Sequence, residues 1–315
     1  MHRPEYINVI NEAASNLGIR TNHFSENWAI SLTKEAITKF IIGYTFPLND
    51  SACYKIARNK NLCSEILSLN NISNVPHKLL FSPLILKKRN GLKGNSETIQ
   101  RFINENGFPF LIKKNNSSRG DGVYLVKNEP ELESVLSSVY TTDSTLCLSP
   151  FRENIKEYRN IVLNNECLLS YEKQIPFVKG NGENSILELL VDFRRNGDND
   201  SVPSEIIFDK SLLKTLNEIP KPNQKIPLHW KHNSSFGINY ELVVNEEMQK
   251  MAVRAAKSIN AKFVSVDIIY SEKLGFEILE INASVVLNSF AAASSANHQK
   301  TVSVFEMALK ELFHL

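Results

Sequence analysis

The stretch FVSVDIIYSEKLGFEILEINA, residues 263–283, constrains this chain more than any other part of it. Two runs rich in Val, Ile and Phe are joined by a short polar connection, so they read as the arms of a β hairpin from Phe263 to Ala283. Successive side chains of a strand point to opposite faces. Ser265 and Asp267 therefore point away from Val266 and Ile268, and Glu280 and Asn282 away from Leu279 and Ile281. With the turn centred near Lys273 and Leu274, Asp267 lies directly across from Glu280, and Asn282 sits one step further on that face. Facing carboxylates repel unless a cation lies between them, and an all-oxygen set with few protein ligands suits magnesium held jointly with phosphates. Taken alone, the hairpin fits a solvated polar face equally well.

Around the hairpin, helices and strands follow in irregular order. Apolar positions at helical spacing run from Pro4 to Leu17, and alternation between Trp28 and Tyr44 predicts one or two short strands, together a small α/β opening. A helix from about Tyr54 to Leu69 ends before Val75-Pro76, which sends the chain into an extended segment. NGLKGN, residues 90–95, reads as a loop, and a helix from about Glu97 to Asn106 stops at Gly107. Phe110 to Lys114 and Val123 to Val126 are strand-like, and a helix from Glu131 to Tyr140 begins after Pro130. Further strands are expected near Thr145 to Leu148, Tyr158 to Leu163 and Cys167 to Gln174, then a helix from Ser185 to Arg195. A helix from Glu246 to Asn260 places Met248, Ala252, Ala255 and Ile259 on one stripe, and a last helix spans Val302 to Phe313. With no internal repeat, this order predicts α+β sheets with helices packed on them, not a doubly wound parallel sheet.

A length of 315 residues, 42% of them hydrophobic, supports one large domain or two to three small ones. The 36 basic and 34 acidic residues leave a net charge of +2 without long single-sign runs, which argues against a nucleic-acid surface or an anionic membrane patch. Partners are expected to be small molecules or protein. The N-terminus reads as an amphipathic helix and not a signal peptide, and no stretch approaches the ~18 apolar residues of a membrane span. Cys53, Cys63, Cys147 and Cys167 show neither metal-type pairing nor a secreted disulfide framework, which suits reduced, buried thiols in a cytoplasmic protein.

The run PFLIKKNNSSRGDGVYLV, Pro109 to Val126, ends one strand in lysine and places a Ser/Gly loop before the next. Gly120 and Gly122 carry no side chain to keep an anion from backbone N–H groups, and Lys113 adds a point charge. Phosphate is the natural guest. A strand and not a helix follows the loop, so neither the Walker nor the Rossmann pattern applies. An ordinary hairpin turned at Asp121-Gly122 also fits these residues.

In this order, a helix bearing Lys60, the Lys113 strand with its loop, the strand of Glu157 and Arg159, and the terminal Asp267, Glu280 and Asn282 resemble the ATP-grasp superfamily. Within it the chain is most similar to the cyanophycin synthetase and bifunctional glutamate-cysteine ligase/glutathione synthetase type. KQIPFVKGNGENSILELL resembles their R-x-P-x-x-x-G-D-G-x-x-[ST]-[IV]-x-[ED]-L stretch, and HNSSFG, His232 to Gly237, their N-L-S-x-G-G. The resemblance spans roughly residues 50 to 290 and rests on an ordered set of short motifs.

The resemblance implies an ATP-grasp fold, two α+β subdomains gripping ATP after a short N-terminal α/β region. The expected division is 1–72 for that region, 73–150 for the lid subdomain with the phosphate loop and 151–315 for the subdomain with the metal site. Lys60 and Lys113 are implied to reach the nucleotide phosphates, and Ser117, Ser118, Gly120 and Gly122 to form the phosphate flap. Leu148 to Phe151 match the linker whose backbone reads adenine, and Glu157 matches the acid that holds the ribose hydroxyls. Arg159 and Lys173 match the basic pair at the γ-phosphate and acyl phosphate. Asp267, Glu280 and Asn282 match ligands of magnesium or manganese, two ions being expected. The implied activity is ATP-dependent carboxylate–amine ligation through an acyl phosphate, giving ADP, phosphate and an amide, with an amino acid or small peptide as substrate and room for a homo-oligomer. An ATP-grasp enzyme acting on a ribosomal peptide or protein, and a nucleotide-binding protein without ligase activity, are the other readings.

Several positions depart from the family. Asn59 stands where aspartate is usual, and Asn181 replaces the aspartate of G-D-G. EINASVVL takes the place of E-x-N-x-x-P-G. Ser265 occupies the place where D-alanine ligases carry arginine, which argues against that branch. His298, near the expected substrate mouth, reads as a surface residue.

Overall fold

The computed structural model describes residues 4–81, 83–88, 95–116, 122–139, 145–153, 155–175, 177–196, 215–227 and 239–315. The chain opens with α1 (Pro4–Asn16), which buries Tyr6, Val9, Ile10 and Ala13. An antiparallel meander follows: β1 (Arg20–Phe24), β2 (Ala29–Lys34) and β3 (Ile37–Ile42). β1 was not anticipated, because RTNHF is polar and largely exposed and leaves no alternation to read.

The single helix expected from Tyr54 to Leu69 is two helices, α2 (Ser51–Arg58) and α3 (Lys60–Leu69). The break falls at Asn59, whose backbone is extended (φ −96°, ψ 98°) and whose side chain accepts from the Leu62 N–H at 3.0 Å. One asparagine thus ends α2 and starts α3. Its consequence is that Lys60 stands in the first turn of a new helix.

β4 (Lys78–Leu80), α4 (Pro83–Lys88), α5 (Asn95–Asn106), β5 (Phe110–Lys114), β6 (Val123–Val126), α6 (Glu129–Val139) and β7 (Leu146–Pro150) come next. Their antiparallel sheet has the order β4-β7-β5-β6. One face of it, with Leu80, Phe110, Ile112, Val126, Leu146 and Leu148, shares a core with Phe102 of α5 and Leu132 and Val139 of α6. Gly107 (φ +68°) closes α5 as expected, its N–H donating to the Ile103 carbonyl at 2.8 Å. Most of the expected NGLKGN loop, residues 90–94, lies outside the described residues.

The remainder comprises β8 (Lys156–Leu163), β9 (Glu166–Gln174), β10 (Phe177–Lys179), α7 (Ile186–Asn196), β11 (Lys225–Pro227), β12 (Asn239–Leu242), α8 (Glu246–Ser258), β13 (Phe263–Ser271), β14 (Gly275–Asn282), α9 (Asn288–Ala292) and α10 (Ser295–Phe313). β12-β9-β8-β13-β14 form one antiparallel sheet, with β14 at its edge. Val264, Val266 and Ile268 on one face join Ile278, Ile281 and the buried α8 stripe of Met248, Ala252, Ala255 and Ile259. On the other face Ile161, Leu163, Tyr171 and Phe263 pack into a core with α1, β2 and α10. At α7, Ser185 and Glu188 exchange hydrogen bonds as a capping box. α10 begins at Ser295, well before the expected Val302, because Ser294 caps it and its first turn has no large apolar side chain to signal a helix. The fold is α+β with antiparallel sheets. Among the described residues no helix is long and apolar enough to cross a membrane.

His298 does more than sit on the surface. Its Nδ1 and Nε2 lie 2.8 Å from carboxylate oxygens of Glu5 and Glu12, joining α10 to α1 outside their shared core. Hydrogen bonds donated to the carboxylates of Glu12 and Glu5 raise the imidazole above its ordinary range, and the same contact lowers Glu12. A raised folded-state value means that this stabilisation is complete below the unfolded value of about 6.5 and is lost as pH rises through the folded value. Solvent keeps it small. His298→Ala is expected to lower the melting temperature by about 1–3 °C near pH 5.5 and by clearly less near pH 9. Thermal unfolding at the two pH values checks this, and equal losses at both contradict it.

Candidate active site

Cross-strand pairing builds a charged area on the large sheet. Arg159 of β8 pairs with Tyr171 of β9 and with Asp267 of β13, and Asp267 pairs with Glu280 of β14 as the alternation predicts. On the next rung Glu157 pairs with Lys173 and with Ile269, and Ile269 with Glu277. Directly paired residues share a face, as do residues two apart along a strand. All these groups therefore project to one side. A register shift between Asp267 and Ile268 puts an extra residue into β14 and brings Glu277 to the same side as Glu280, which strict alternation forbids. That bulge hid Glu277 from a reading based on alternation.

The charges are matched by forks. Arg159 donates from Nε to Asp267 Oδ1 at 2.8 Å and from Nη2 to Oδ2 at 2.7 Å. Lys173 Nζ pairs with Glu157 and lies 3.4 Å from Asp267 Oδ2. Asp267 is 1% exposed, so burial pushes its carboxyl up, but Arg159 and Lys173 outweigh burial and hold it well below the usual carboxylate range. At Glu157 burial prevails over Lys173 and pushes the carboxyl up. Arg152 makes a second fork with Glu277 at 2.8 and 2.9 Å, tying the connection between β7 and β8 to β14. Phe151, half-buried, lies in that connection. Asn282 Nδ2 donates to Glu280 Oε1 at 3.0 Å, which leaves Asn282 Oδ1 and Glu280 Oε2 without partners among the described residues.

The small sheet contributes Lys113. Lys113 pairs with Cys147 and Leu111 with Ser149, so these residues occupy the face opposite the core of Phe110, Ile112 and Leu148. Lys113 is 6% exposed, and among the described residues its Nζ has one hydrogen-bond partner, His77 Nε2 at 3.5 Å. Burial pushes this ammonium down, Cys147, Glu280 and Glu157 pull it back up, and Lys60 pushes it down. Lys113 thus feels the acidic hairpin and the first residue of α3. That helix start is pinned to the end of β5: Lys60 N–H donates to the Asn115 carbonyl at 3.2 Å, Asn61 N–H to Asn115 Oδ1 at 3.0 Å, and Asn115 Nδ2 to Asn59 Oδ1 at 2.9 Å. Ser149 Oγ and Ser265 Oγ are buried without a partner among the described residues.

Lys60, Lys113, Glu157, Arg159, Lys173, Asp267, Glu280 and Asn282 thus line two sheets and one helix start. Gly122 (φ +65°) returns the chain into β6, where a Cβ would come within 2.9 Å of the Lys114 side chain. Ser117, Ser118, Gly120 and the HNSSFG segment lie outside the described residues. Asn181 Oδ1 accepts from the N–H groups of Glu183 and Asn184 at 3.0 and 2.8 Å, so its side chain forms an Asx turn ahead of α7. Beyond Asn282, Ala283, Val285 and Leu287 are buried, and the Val286 carbonyl accepts from Arg159 at 3.5 Å. EINASVVL is therefore a packed turn. A buried ammonium facing carboxylate and amide oxygens on one side can receive a polyanion together with a divalent cation.

The RimK-like ATP-grasp domain family matches residues 57–177 and 231–304. The glutathione biosynthesis bifunctional protein GshAB of Clostridium perfringens is 24% identical over 255 residues, covering 76% of this chain and 31% of that protein. D-alanine--D-alanine ligase of Helicobacter pylori is 38% identical over 64 residues, covering 20% of this chain and 18% of that protein. The chain thus spans under a third of the length of these curated relatives. Among solved structures, a bifunctional glutathione synthetase from Pasteurella multocida superposes with a TM-score of 0.56 at 18% identity, covering 90% of this chain and 40% of that one. D-alanine--D-alanine ligase from Bacillus anthracis gives 0.50 at 15% identity, covering 83% and 71%. These superpositions show a shared ATP-grasp fold.

Removing the acid of the Arg159 fork leaves a half-buried guanidinium, and the buried Lys173 beside it, short of a carboxylate. Asp267→Ala is expected to destabilise the chain by about 3–5 kcal/mol, read from urea unfolding, whereas Asn282→Ala should change stability by less than about 1 kcal/mol. A loss below about 1 kcal/mol for Asp267→Ala contradicts this account of the fork.

Proposed function

This chain belongs to the RimK-like ATP-grasp family, and we propose that it is an ATP-dependent carboxylate–amine ligase working through an acyl phosphate. Lys113 carries the proposal: a buried ammonium whose one hydrogen-bond partner among the described residues is an imidazole. A buried charge so poorly matched is costly, and a phosphate oxygen of ATP offsets that cost.

In this reading Lys60 and Lys113 hold the phosphates, with Ser117, Ser118, Gly120 and Gly122 closing over them. The Leu148–Phe151 backbone meets adenine, and Glu157 meets the ribose hydroxyls. Glu280 and Asn282 fit magnesium, because among the described residues each keeps one oxygen without a partner on the face that Asp267 shares, and Asp267, held ionised but with both oxygens on Arg159, would join them by exchanging a bond of that fork. Two ions, magnesium or manganese, would supply neutralisation of the phosphate charge there. Arg159 and Lys173 are oriented by Asp267 and Glu157, which offset part of their charge, and they would steady the transferring phosphoryl group with little reorganisation while Lys113 supplies the unmatched positive charge.

The chemistry follows from a poor leaving group. A carboxylate oxygen attacks the γ-phosphorus, the bond to the β–γ bridging oxygen breaks, and ADP leaves. An amine then attacks the acyl carbon, phosphate departs, and the nitrogen loses a proton to give the amide. Water would destroy the acyl phosphate, which is the reason for a closing flap. We assign 1–72 to the N-terminal region, 73–150 to the lid subdomain and 151–315 to the metal-bearing subdomain. Likeness to GshAB supports amino acids or a short peptide as substrates. Burial pushes the thiols of Cys53, Cys63 and Cys147 up to about 11, 12 and 11, which supports inert thiols, and four free cysteines suit a cytoplasmic setting.

The test offers amino acids and small carboxylates in pairs under magnesium ATP, following phosphate release and product mass. Turnover with at least one pair is expected. Lys113→Met and Glu280→Ala should each lower it at least about 100-fold, and Lys113→Met should not lower the melting temperature, since it removes a poorly matched buried charge. Wild-type rates in either variant sink the site assignment. If every pair leaves ATP intact, a peptide acceptor or nucleotide binding without ligation becomes the better reading.

A further inference from the structure

We propose that His77 is a positioning residue for Lys113: its neutral imidazole holds the ammonium through the Nε2 lone pair and aims it into the site without cancelling its charge. This rests on the ATP reading above. His77 is 4% exposed and lies in the extended run between α3 and β4. Its Nδ1 is 2.9 Å from the Val75 carbonyl oxygen, which can only accept, so Nδ1 carries the ring proton. Nε2 keeps its lone pair, and this is the atom 3.5 Å from Lys113 Nζ.

The ring is held from the backbone as well. The His77 N–H donates to Ser64 Oγ at 3.2 Å, and its carbonyl accepts from Asn61 Nδ2 at 2.8 Å. Both partners belong to α3, the helix that begins at Lys60. His77, Lys60, Cys63 and Glu280 line one cavity between α3 and β14. The imidazole therefore registers Lys113 of the small sheet against the helix and the hairpin edge that bear the other phosphate and metal groups.

Imidazole suits this place better than the alternatives. A carboxylate here would match the ammonium and cancel the charge that the phosphate is to meet. An apolar side chain would leave the buried ammonium without an acceptor. A neutral ring accepts one N–H and leaves the positive charge whole. A protonated ring would set an N–H against an ammonium. Burial and the neighbouring Lys113 both keep the ring neutral.

The test uses the full chain with 15N-labelled histidine, together with Lys113→Met, His77→Phe and His77→Gln, each checked for folding by thermal unfolding. The His77 ring is expected to show the Nδ1-protonated tautomer from about pH 6 to 9, and Lys113→Met to move its Nε2 resonance. An Nε2-protonated ring, or an Nε2 resonance that ignores Lys113→Met, overturns the proposal whether or not the chain binds ATP. In titration with magnesium ATP, folded His77→Phe is expected to bind about tenfold more weakly, and His77→Gln, whose amide oxygen can accept from Lys113, within about threefold of wild type. Wild-type affinity in folded His77→Phe, or equal weakness in both variants, also overturns it. A wild-type chain that binds no ATP removes the ligase reading, and the tautomer and its response to Lys113→Met then decide the role of His77.

Discussion

The fork between Arg159 and Asp267 is the interaction on which the rest of the site depends. Asp267 is buried and Arg159 mostly so, and an unpaired charge at Asp267 would not be tolerated there. Because the pair spans neighbouring strands at directly opposed positions, the register of β8 and β13 fixes its geometry. Lys173 and Glu157 then extend it along the next rung, and Glu280 and Asn282 extend it to the sheet edge. The outcome is a graded row, fully matched at the centre and, among the described residues, with unpartnered oxygens at the edge.

Two apolar frames hold that row in place. One face of the large sheet is closed by α2, α3 and α8, and the other shares its core with α1 and α10, so β13 cannot slip by one residue without turning charges into a core. The small sheet keeps its own core with α5 and α6 on one face and offers Lys113 from the other. Asn115 and Asn59 fasten it to the start of α3, and Arg152 fastens the following connection to Glu277. The site is built where these polar fastenings meet.

How much of this was legible in the sequence follows from the range of each signal. Asp267, Glu280 and Asn282 were legible as a set, but Asp267 meets Glu280 through a turn between Ser271 and Gly275 combined with the bulge beside Asp267 that adds one residue to β14, and burial of Val266 and Ile281 holds the result. Glu277 was not, because the bulge changes its face, and its partner Arg152 sits in a connection with no periodicity. The helix break at Asn59 was masked by apolar spacing that continues through it, although an asparagine ahead of KNLC was an available start signal. His77 left no trace: a single histidine after Val-Pro acquires its role only when α3, β5 and β14 meet around it. EINASVVL was least legible, since it departs from the family pattern and packs its apolar residues inward.

The central claim is that the space between Lys113 and the hairpin edge receives a nucleoside triphosphate with its metal. A crystal structure of the full chain with a non-hydrolysable ATP analogue and manganese tests it most directly. The account predicts phosphate density against Lys113 and an anomalous manganese peak beside Glu280 and Asn282. Manganese elsewhere, or an analogue bound away from Lys113 in a crystal where it is well ordered, would contradict it.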